Sequence, residues 1–479
     1  MRTLGAIGLV LLLAAGCGGV NQFVGERTPL TDRQKDAAMK ALLGPVEFSE
    51  YVLITDTIEA TAWLRRFWIR HDPTPTTPEN EFRDEHEERI YHAIYLFDNS
   101  GLGGGPWDDR GEVYIRYGRP DERLIRHSGI DDDDLAAGSS ESDRMFGRDF
   151  GTLRNGRGSA TEVWTYYRWN ETFQFEDRRG TGSFEMVPVT ELFSEREDVA
   201  EFYASRLTAL DLQPAIYYHE YGKNLIDYAL DVVRFRADSG RWNVDVNLGY
   251  PLSELSRGPD SNWISVRRTL IVRDGNEDEV YSEGGRIRRL VGPASSHRLM
   301  VEQKILNLEP GRYTLAVTIE DMHSGKTGTY VKTFRLPRYI VPEVQEISDI
   351  EMASYVWTIF EPGSPFVKGD RMVVPLPTRV YLPGQPVAFY YEVYNMLLGK
   401  DGCTRYATSY TITQADGRVP DSFKPLPSEE WTSDTRDVAR IGTLDVDDLP
   451  SGEYFLTVTV DDQIGHHQKV TVARFRKSN

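Results

Sequence analysis

Two stretches of the chain, LEPGRYTLAVTIED (Leu308–Asp321) and LPSGEYFLTVTVDD (Leu449–Asp462), carry the same residues at corresponding places. They agree at Leu308/Leu449, Gly311/Gly452, Tyr313/Tyr454, Leu315/Leu456, Val317/Val458, Thr318/Thr459 and Asp321/Asp462, and the offset persists to Phe334-Arg335 and Phe475-Arg476. A constant offset over so many positions implies two copies of one structural unit. Within each copy a Tyr-x-Leu-x-Val alternation predicts a strand with one buried face, and turn signals recur at short intervals. That pattern predicts two immunoglobulin-like β-sandwiches in series, over residues 235–338 and 347–479.

The opposite end of the chain sets the compartment. MRTLGAIGLVLLLAAGCGGV places one basic residue, Arg2, before an apolar run from Leu4 to Ala15, then small residues and Cys17. Such a run falls short of the roughly 20 apolar residues that span a bilayer, and its order is that of a secretory signal. Leu13-Ala14-Ala15-Gly16-Cys17 also resembles a bacterial lipobox, in which the cysteine becomes the lipidated first residue. Residues 1–17 are therefore read as a lipoprotein signal with Cys17 as the lipidation site, and residues 18–30 as a tether. Gly18 after the cysteine, with no aspartate there, fits sorting to the outer membrane, facing the periplasm. An ordinary cleaved signal peptide is the simpler alternative.

A lipidated Cys17 leaves Cys403 without a partner for an internal disulfide, and two cysteines are too few for a cysteine-based zinc or iron–sulfur site. The 479 residues allow two to four domains, and a formal charge of −19 argues against a nucleic-acid surface, which needs clustered Lys and Arg.

Between tether and sandwiches, residues 31–211 read as helical and α+β. Thr31 with Gln34 forms a capping-box signature, and Thr77-Pro78 predicts a second helix start. The helix from Pro78 puts Phe82, Ile90, Ala93, Ile94 and Phe97 on one face and Glu79, Arg83, Asp84, Glu87 and Glu88 on the other. Val113, Ile115 and Tyr117 alternate with polar neighbours and predict a strand, ended by turn chemistry at Gly118-Arg119-Pro120-Asp121. Further strands are predicted at 162–169, 173–176 and 184–187, a long Asp/Gly/Ser-rich loop at 127–160, and a helix near 190–210.

Asp109-Arg110-Gly111, just before Val113, supports two readings. In one, Asp109 serves as acid or base, Arg110 holds an anion, the glycines of GLGGG admit a ligand, and Asp121, Glu122 or Glu162 supplies a second carboxylate. In the other, Asp109 caps a turn, Arg110 pairs with Glu81 or Glu85, and Gly111 lends backbone freedom. The structural reading is the simpler use of these residues. Other motifs are weaker. Asp131 to Asp134 lack the alternating ligands and glycine of a calcium loop, His86-Glu87-Glu88-Arg89-Ile90 lacks a second histidine, and His466 and His467 face opposite ways on a strand. No cofactor or metal is expected. The aromatic clusters Trp164, Tyr166, Tyr167, Trp169 and Tyr390, Tyr391 read as core rather than as a ligand shelf.

Three ordered blocks, FWIRHDPTPTTPENEFRDEHEERIYHAIYLFD, DRGEVYIRYGRPDE and EVWTYY, resemble the GWxTD domain family of bacterial envelope proteins. The matching residues are Phe67, Trp68, Asp72, Pro73, Thr74, Pro75, Asn80, Glu81, Arg89, Ala93, Asp109, Arg110, Gly111, Tyr117, Gly118, Pro120, Asp121, Glu162 and Trp164. The motif that names the family stands here as Gly105-Pro106-Trp107-Asp108-Asp109, with Trp107 displaced by one and Asp108 in place of threonine. The resemblance implies a fold and an envelope role, without a defined activity.

Together these readings describe a multidomain α+β and all-β chain: N-terminal helices with a small antiparallel-sheet GWxTD-like module, then two immunoglobulin-like β-sandwiches. The expected role is that of a lipid-anchored adaptor, assembly or protein-binding module. It would hold the membrane through its anchor and an envelope protein as partner, with no nucleic acid. The alternative is an envelope hydrolase or carbohydrate-binding protein with a site near Asp109 and Arg110.

Overall fold

The computed structural model describes residues 28–99, 105–127, 160–167, 171–187, 225–258, 262–292, 299–338, 344–358, 364–424 and 426–478. Cys17, most of the tether, Gly101 to Gly104, Asp131 to Asp134, Trp169 and the helix expected near 190–210 lie outside these residues. The chain forms two compact units, Met1–Leu53 with His86–Tyr217, and Ile54–Glu85 with Tyr218–Asn479.

Five helices come first among the described residues: α1 (Asp32–Leu42), α2 (Pro45–Tyr51), α3 (Thr57–Arg70), α4 (Glu81–Phe97) and α5 (Asp109–Tyr117). The capping box of α1 is present, with Gln34 N–H donating to Thr31 Oγ1 at 3.3 Å and Thr31 N–H donating to Gln34 Oε1 at 2.8 Å. Helix α4 starts later than Thr77-Pro78 suggests. Asn80 is its effective cap, its Oδ1 accepting from Arg83 N–H at 2.9 Å, while Thr77 turns back to hydrogen-bond the Thr74 carbonyl. Ile90, Ala93 and Phe97 of α4 are buried as the periodicity predicts. The stretch 113–117, predicted as a strand, is instead the second half of α5. Val113 to Tyr117 are all buried, so both faces of the segment are covered and alternation was no guide to its period.

A small antiparallel sheet completes the first unit: β1 (Glu122–His127), β2 (Ala160–Tyr166), β3 (Glu171–Asp177) and β4 (Glu185–Val187), in the order β1-β2-β3-β4. Its apolar face joins α1, α4 and α5 in one aromatic core that includes Phe97, Trp107, Tyr114, Tyr117, Trp164, Tyr166, Phe173 and Phe175.

Beyond helix α3 and the start of α4, the described residues of the second unit are almost wholly strand. Its first part has β5 (Ala229–Arg236), β6 (Trp242–Pro251), β7 (Trp263–Asp274), β8 (Glu279–Leu290), β9 (Leu299–Leu308), β10 (Gly311–Asp321) and β11 (Thr327–Leu336). Sheet β5-β6-β9 and sheet β11-β10-β7-β8 contribute alternate residues to one core, Val244, Val246 and Leu306 meeting Val266, Leu270, Leu315 and Val317. Its second part has β12 (Glu346–Ile347), β13 (Glu351–Trp357), β14 (Val367–Lys368), β15 (Arg371–Pro375), β16 (Val380–Tyr381), β17 (Val387–Tyr394), β18 (Thr404–Gln414), β19 (Glu429–Ser433), β20 (Val438–Leu444), β21 (Gly452–Asp462) and β22 (His467–Lys477). Sheet β16-β22-β21-β18-β19 shares a core with the sheet built around β17, which pairs β12, β13 and β20.

The two repeated stretches fold alike down to single hydrogen bonds. Tyr313 of β10 donates to the Glu309 carbonyl at 2.9 Å, and Tyr454 of β21 donates to the Pro450 carbonyl at 2.8 Å. Each ring stacks on a phenylalanine of the following strand, Phe334 or Phe475, with centroids 5.7 Å apart. Asp321 and Asp462 end their strands buried. Asp321 accepts from His323 and Ser256 N–H, and Asp462 accepts from Ile464, Gly465 and Leu397 N–H. Each carboxylate thus closes its own hairpin and fastens an earlier loop, a use that satisfies backbone donors otherwise left without partners. Tyr313→Phe and Tyr454→Phe should each cost about 1 kcal/mol in urea unfolding, by the same amount within error. Unequal losses would show that the equivalence is one of sequence only.

Strand β5 also forms the seam between the two parts. Val233 and Phe235 pack with Ala353, Val373, Ala388 and Tyr390. Arg234 pairs with Asp349, Asp231 with Arg379, and Arg236 with Asp437. Strand β17 therefore has a core on each side, which is why the adjacent Tyr390 and Tyr391 are both buried.

Candidate functional site

The residues singled out in the sequence meet at the two ends of α5. At its start Asp108, not Asp109, is the N-cap, its Oδ1 accepting from Arg110 N–H at 3.1 Å. The Asp108 N–H donates to the Phe97 carbonyl at 3.0 Å, which ties the cap to the end of α4. Asp109 turns elsewhere. Its Oδ2 accepts from Met186 N–H at 2.7 Å and so fastens β4 beside the helix.

Arg110 does not reach Glu81 or Glu85. Its Nη2 lies 2.6 Å from Asp108 Oδ2, its Nη1 3.0 Å from Glu162 Oε2, and Nη2 also donates to the Gly182 carbonyl at 3.1 Å. The guanidinium lies over the Phe184 ring, 3.7 Å from its centroid, with Phe97 at 5.0 Å. Glu162 in turn takes Trp164 Nε1 at 2.7 Å and an ion pair with Arg123. Exposure decides what this cluster can do: Arg110 is 4 % exposed, Asp108 5 % and Glu162 0 %.

Two cations and two carboxylates thus neutralise one another, with Arg110, Asp108 and Glu162 buried and Arg123 half-buried at the edge. Burial pushes the Asp108 carboxyl up despite Arg110. Burial also acts to raise Glu162, but Arg123, Arg110 and the Trp164 N–H together hold it below the usual carboxylate range. An ionised Glu162 with every neighbour committed is a structural anion.

Gly111 is helical, and its role is close packing rather than backbone freedom. A Cβ there would lie 2.6 Å from the Cβ and Cγ of Trp107, a ring inserted into the core. Gly111→Ala should therefore cost about 1–3 kcal/mol in chemical denaturation through overpacking, against the stabilisation alanine normally gives a helix. A neutral or stabilising outcome would mean that Trp107 moves freely.

At the other end Gly118 ends the helix at φ 77°, a conformation glycine adopts without strain. Its carbonyl accepts from Tyr166 Oη at 2.8 Å, and Arg89 Nη1 donates to the carbonyls of Ile115 and Arg116, each at 3.1 Å. A buried cation therefore sits where the helix dipole is negative. Tyr117 packs between Tyr166 and Phe173, Pro120 is buried, and Asp121 receives Tyr167 N–H at 2.8 Å across the β1–β2 pair.

Asp108, Arg123, Asp177 and Phe184 complete the arrangement; of these the sequence marked only Asp108, as a change within the Gly105–Asp109 motif and not as a site residue. Asp177 accepts from Thr181 N–H at 3.0 Å and Gly182 N–H at 2.6 Å, shaping the turn that presents the Gly182 carbonyl. The sequence signal for this helix start was Asp108 ahead of an acidic first turn, with Arg116 in the last turn and Gly118 after it.

No family model and no curated protein matches the chain. Among solved structures the chain is similar to one titled "Biofilm associated protein - BSP domain", at 10% identity and a TM-score of 0.17. The match takes in 69% of this chain and 61% of that one, so the chain spans under two thirds of its length. A similarity of that size carries no argument about fold or role.

Proposed function

We propose that this chain is a lipid-anchored cell-envelope protein of the GWxTD type whose role is non-catalytic, that of an adaptor, assembly or protein-binding module. In this reading Cys17 carries the anchor, the helices with the β1–β4 sheet form the GWxTD-like module, and β5–β11 and β12–β22 form two immunoglobulin-like sandwiches. The observation that carries it is the closure of the Asp108–Arg110–Glu162–Arg123 cluster. The residues an enzyme at Asp-Arg-Gly would need are spent on one another and on the backbone. Asp109, which a hydrolase would use beside Arg110, is turned instead to the Met186 amide.

The altered motif fits the same reading. Where the family has threonine this chain has Asp108, and both residues cap helices well. The GWxTD segment is thus a helix start, and Trp107 is the ring that packs against Gly111.

The test is complementation of a strain lacking the chain, with Asp109→Ala and Cys17→Ser as variants. Asp109→Ala should restore whatever the deletion loses, while Cys17→Ser should leave the membrane fraction and fail to restore it. A folded, membrane-bound Asp109→Ala that fails to complement would overturn the non-catalytic reading.

A further inference from the structure

Where β5, β11 and the β21–β22 hairpin approach one another, the seam opens into a cleft of about 470 Å³. Four cations, Lys332, Arg379, Arg474 and Arg476, line it against two carboxylates, Asp231 and Glu453, in a chain whose formal charge is −19. The cleft thus reverses the sign of the molecule.

The carboxylates are already committed. Buried Asp231 holds Arg379 in a two-point pair, Oδ2 to Nε at 3.0 Å and Oδ1 to Nη2 at 2.8 Å, leaving Nη1 outside it. The Arg379 backbone is fixed as well, at φ 52°, its carbonyl accepting from Arg476 N–H at 2.8 Å. Glu453 pairs with Arg474 at the exposed rim. Lys332 and Arg476 take no ion pair among the described residues. Leu230, Pro377 and Val380 give the cleft an apolar wall.

A preorganised guanidinium, two uncommitted cations and an apolar wall, in a space within the roughly 300–1,000 Å³ of small-molecule sites, form a recognisable combination. We propose that this cleft binds a small organic anion, with a carboxylate or phosphate held by Arg379, Lys332 and Arg476 and an apolar body against Leu230, Pro377 and Val380. Asp231 acts as a positioning residue that keeps Arg379 aimed. This goes beyond the adaptor reading and does not depend on the anchor or on the Asp108–Arg110 cluster.

Calorimetric titration of the full chain at low salt, with phenyl phosphate, benzoate and inorganic phosphate as probes, tests it. The expected result is saturable binding of phenyl phosphate or benzoate, the tighter of the two identifying the anionic group. Binding should weaken at least about tenfold in Lys332→Gln and further in Lys332→Gln with Arg476→Gln. An unchanged urea midpoint checks the fold, and Lys332→Gln alone serves if the double variant unfolds. Absence of saturable binding at millimolar probe, binding unchanged in folded variants, or inorganic phosphate binding as tightly as phenyl phosphate would each overturn the proposal.

Discussion

Arg110→Ala should destabilise the first unit by about 3–5 kcal/mol in urea unfolding, the cost of leaving buried carboxylates without their cation. Asp108 would lose its pair and Glu162 one of its two, in a place where Arg110 is 4 % exposed and water cannot substitute. The Phe97 and Phe184 rings would lose the guanidinium between them. Asp109→Asn should cost no more than about 1 kcal/mol, because its bond to the Met186 amide is exposed. The contrast between neighbours is the informative quantity. Equal losses, or a loss below about 1 kcal/mol for Arg110→Ala, would show that the cluster is hydrated and open, as an active site would be.

The second large effect concerns the seam. Lys368 of β14 is the cation for both Asp245 of β6 and Glu351 of β13, and its ammonium lies 3.7 Å from the Phe235 ring centroid. Lys368→Met should cost about 3–5 kcal/mol in the second unit, since two buried carboxylates would face each other. In the native chain one ammonium serves two acids. Burial, with Asp245 adding to it, pushes the Glu351 carboxyl up to about 7, although Lys368 and the Asn247 amide oppose the shift. A raised carboxyl stabilises the fold fully below its ordinary value near 4.5, and that contribution is lost as pH rises through about 7. The unfolding midpoint of the second unit should therefore fall as pH rises from about 4.5 to about 7 and level off above that, and Glu351→Gln should flatten the fall. An identical slope in that variant would assign the pH dependence to other groups.

Much of the β-rich half was legible because its signals are local. The alternation in Tyr313–Val317 and Tyr454–Val458, and the Gly before each, lie within a few residues of the bonds they make. The capping box at Thr31 and the buried stripe of α4 are local in the same sense. Helix α5 was misread because Val113, Ile115 and Tyr117 suit a period of two, while the burial of every residue from Val113 to Tyr117, Arg116 included, leaves its second half without a solvated face. The partners of Arg110 were hidden for another reason. Glu162 and Gly182 reach it only after β2 and the turn beyond β3 have folded back, so no sequence spacing encodes them. The burial of both Tyr390 and Tyr391 likewise depends on β5 covering the outer side of β17.

That covering strand has a mechanical consequence. Asp231, Arg234 and Arg236 pin β5 to the following part, β12–β22, at three points along its length, around the buried contact of Val233 and Phe235. Domains joined by a swivel sample many separations, and a ligand bridging them loses that freedom on binding. Here the spacing is set in advance. A partner that grips both parts at once would meet a ruler rather than a hinge, and its two footholds would have to match a fixed distance.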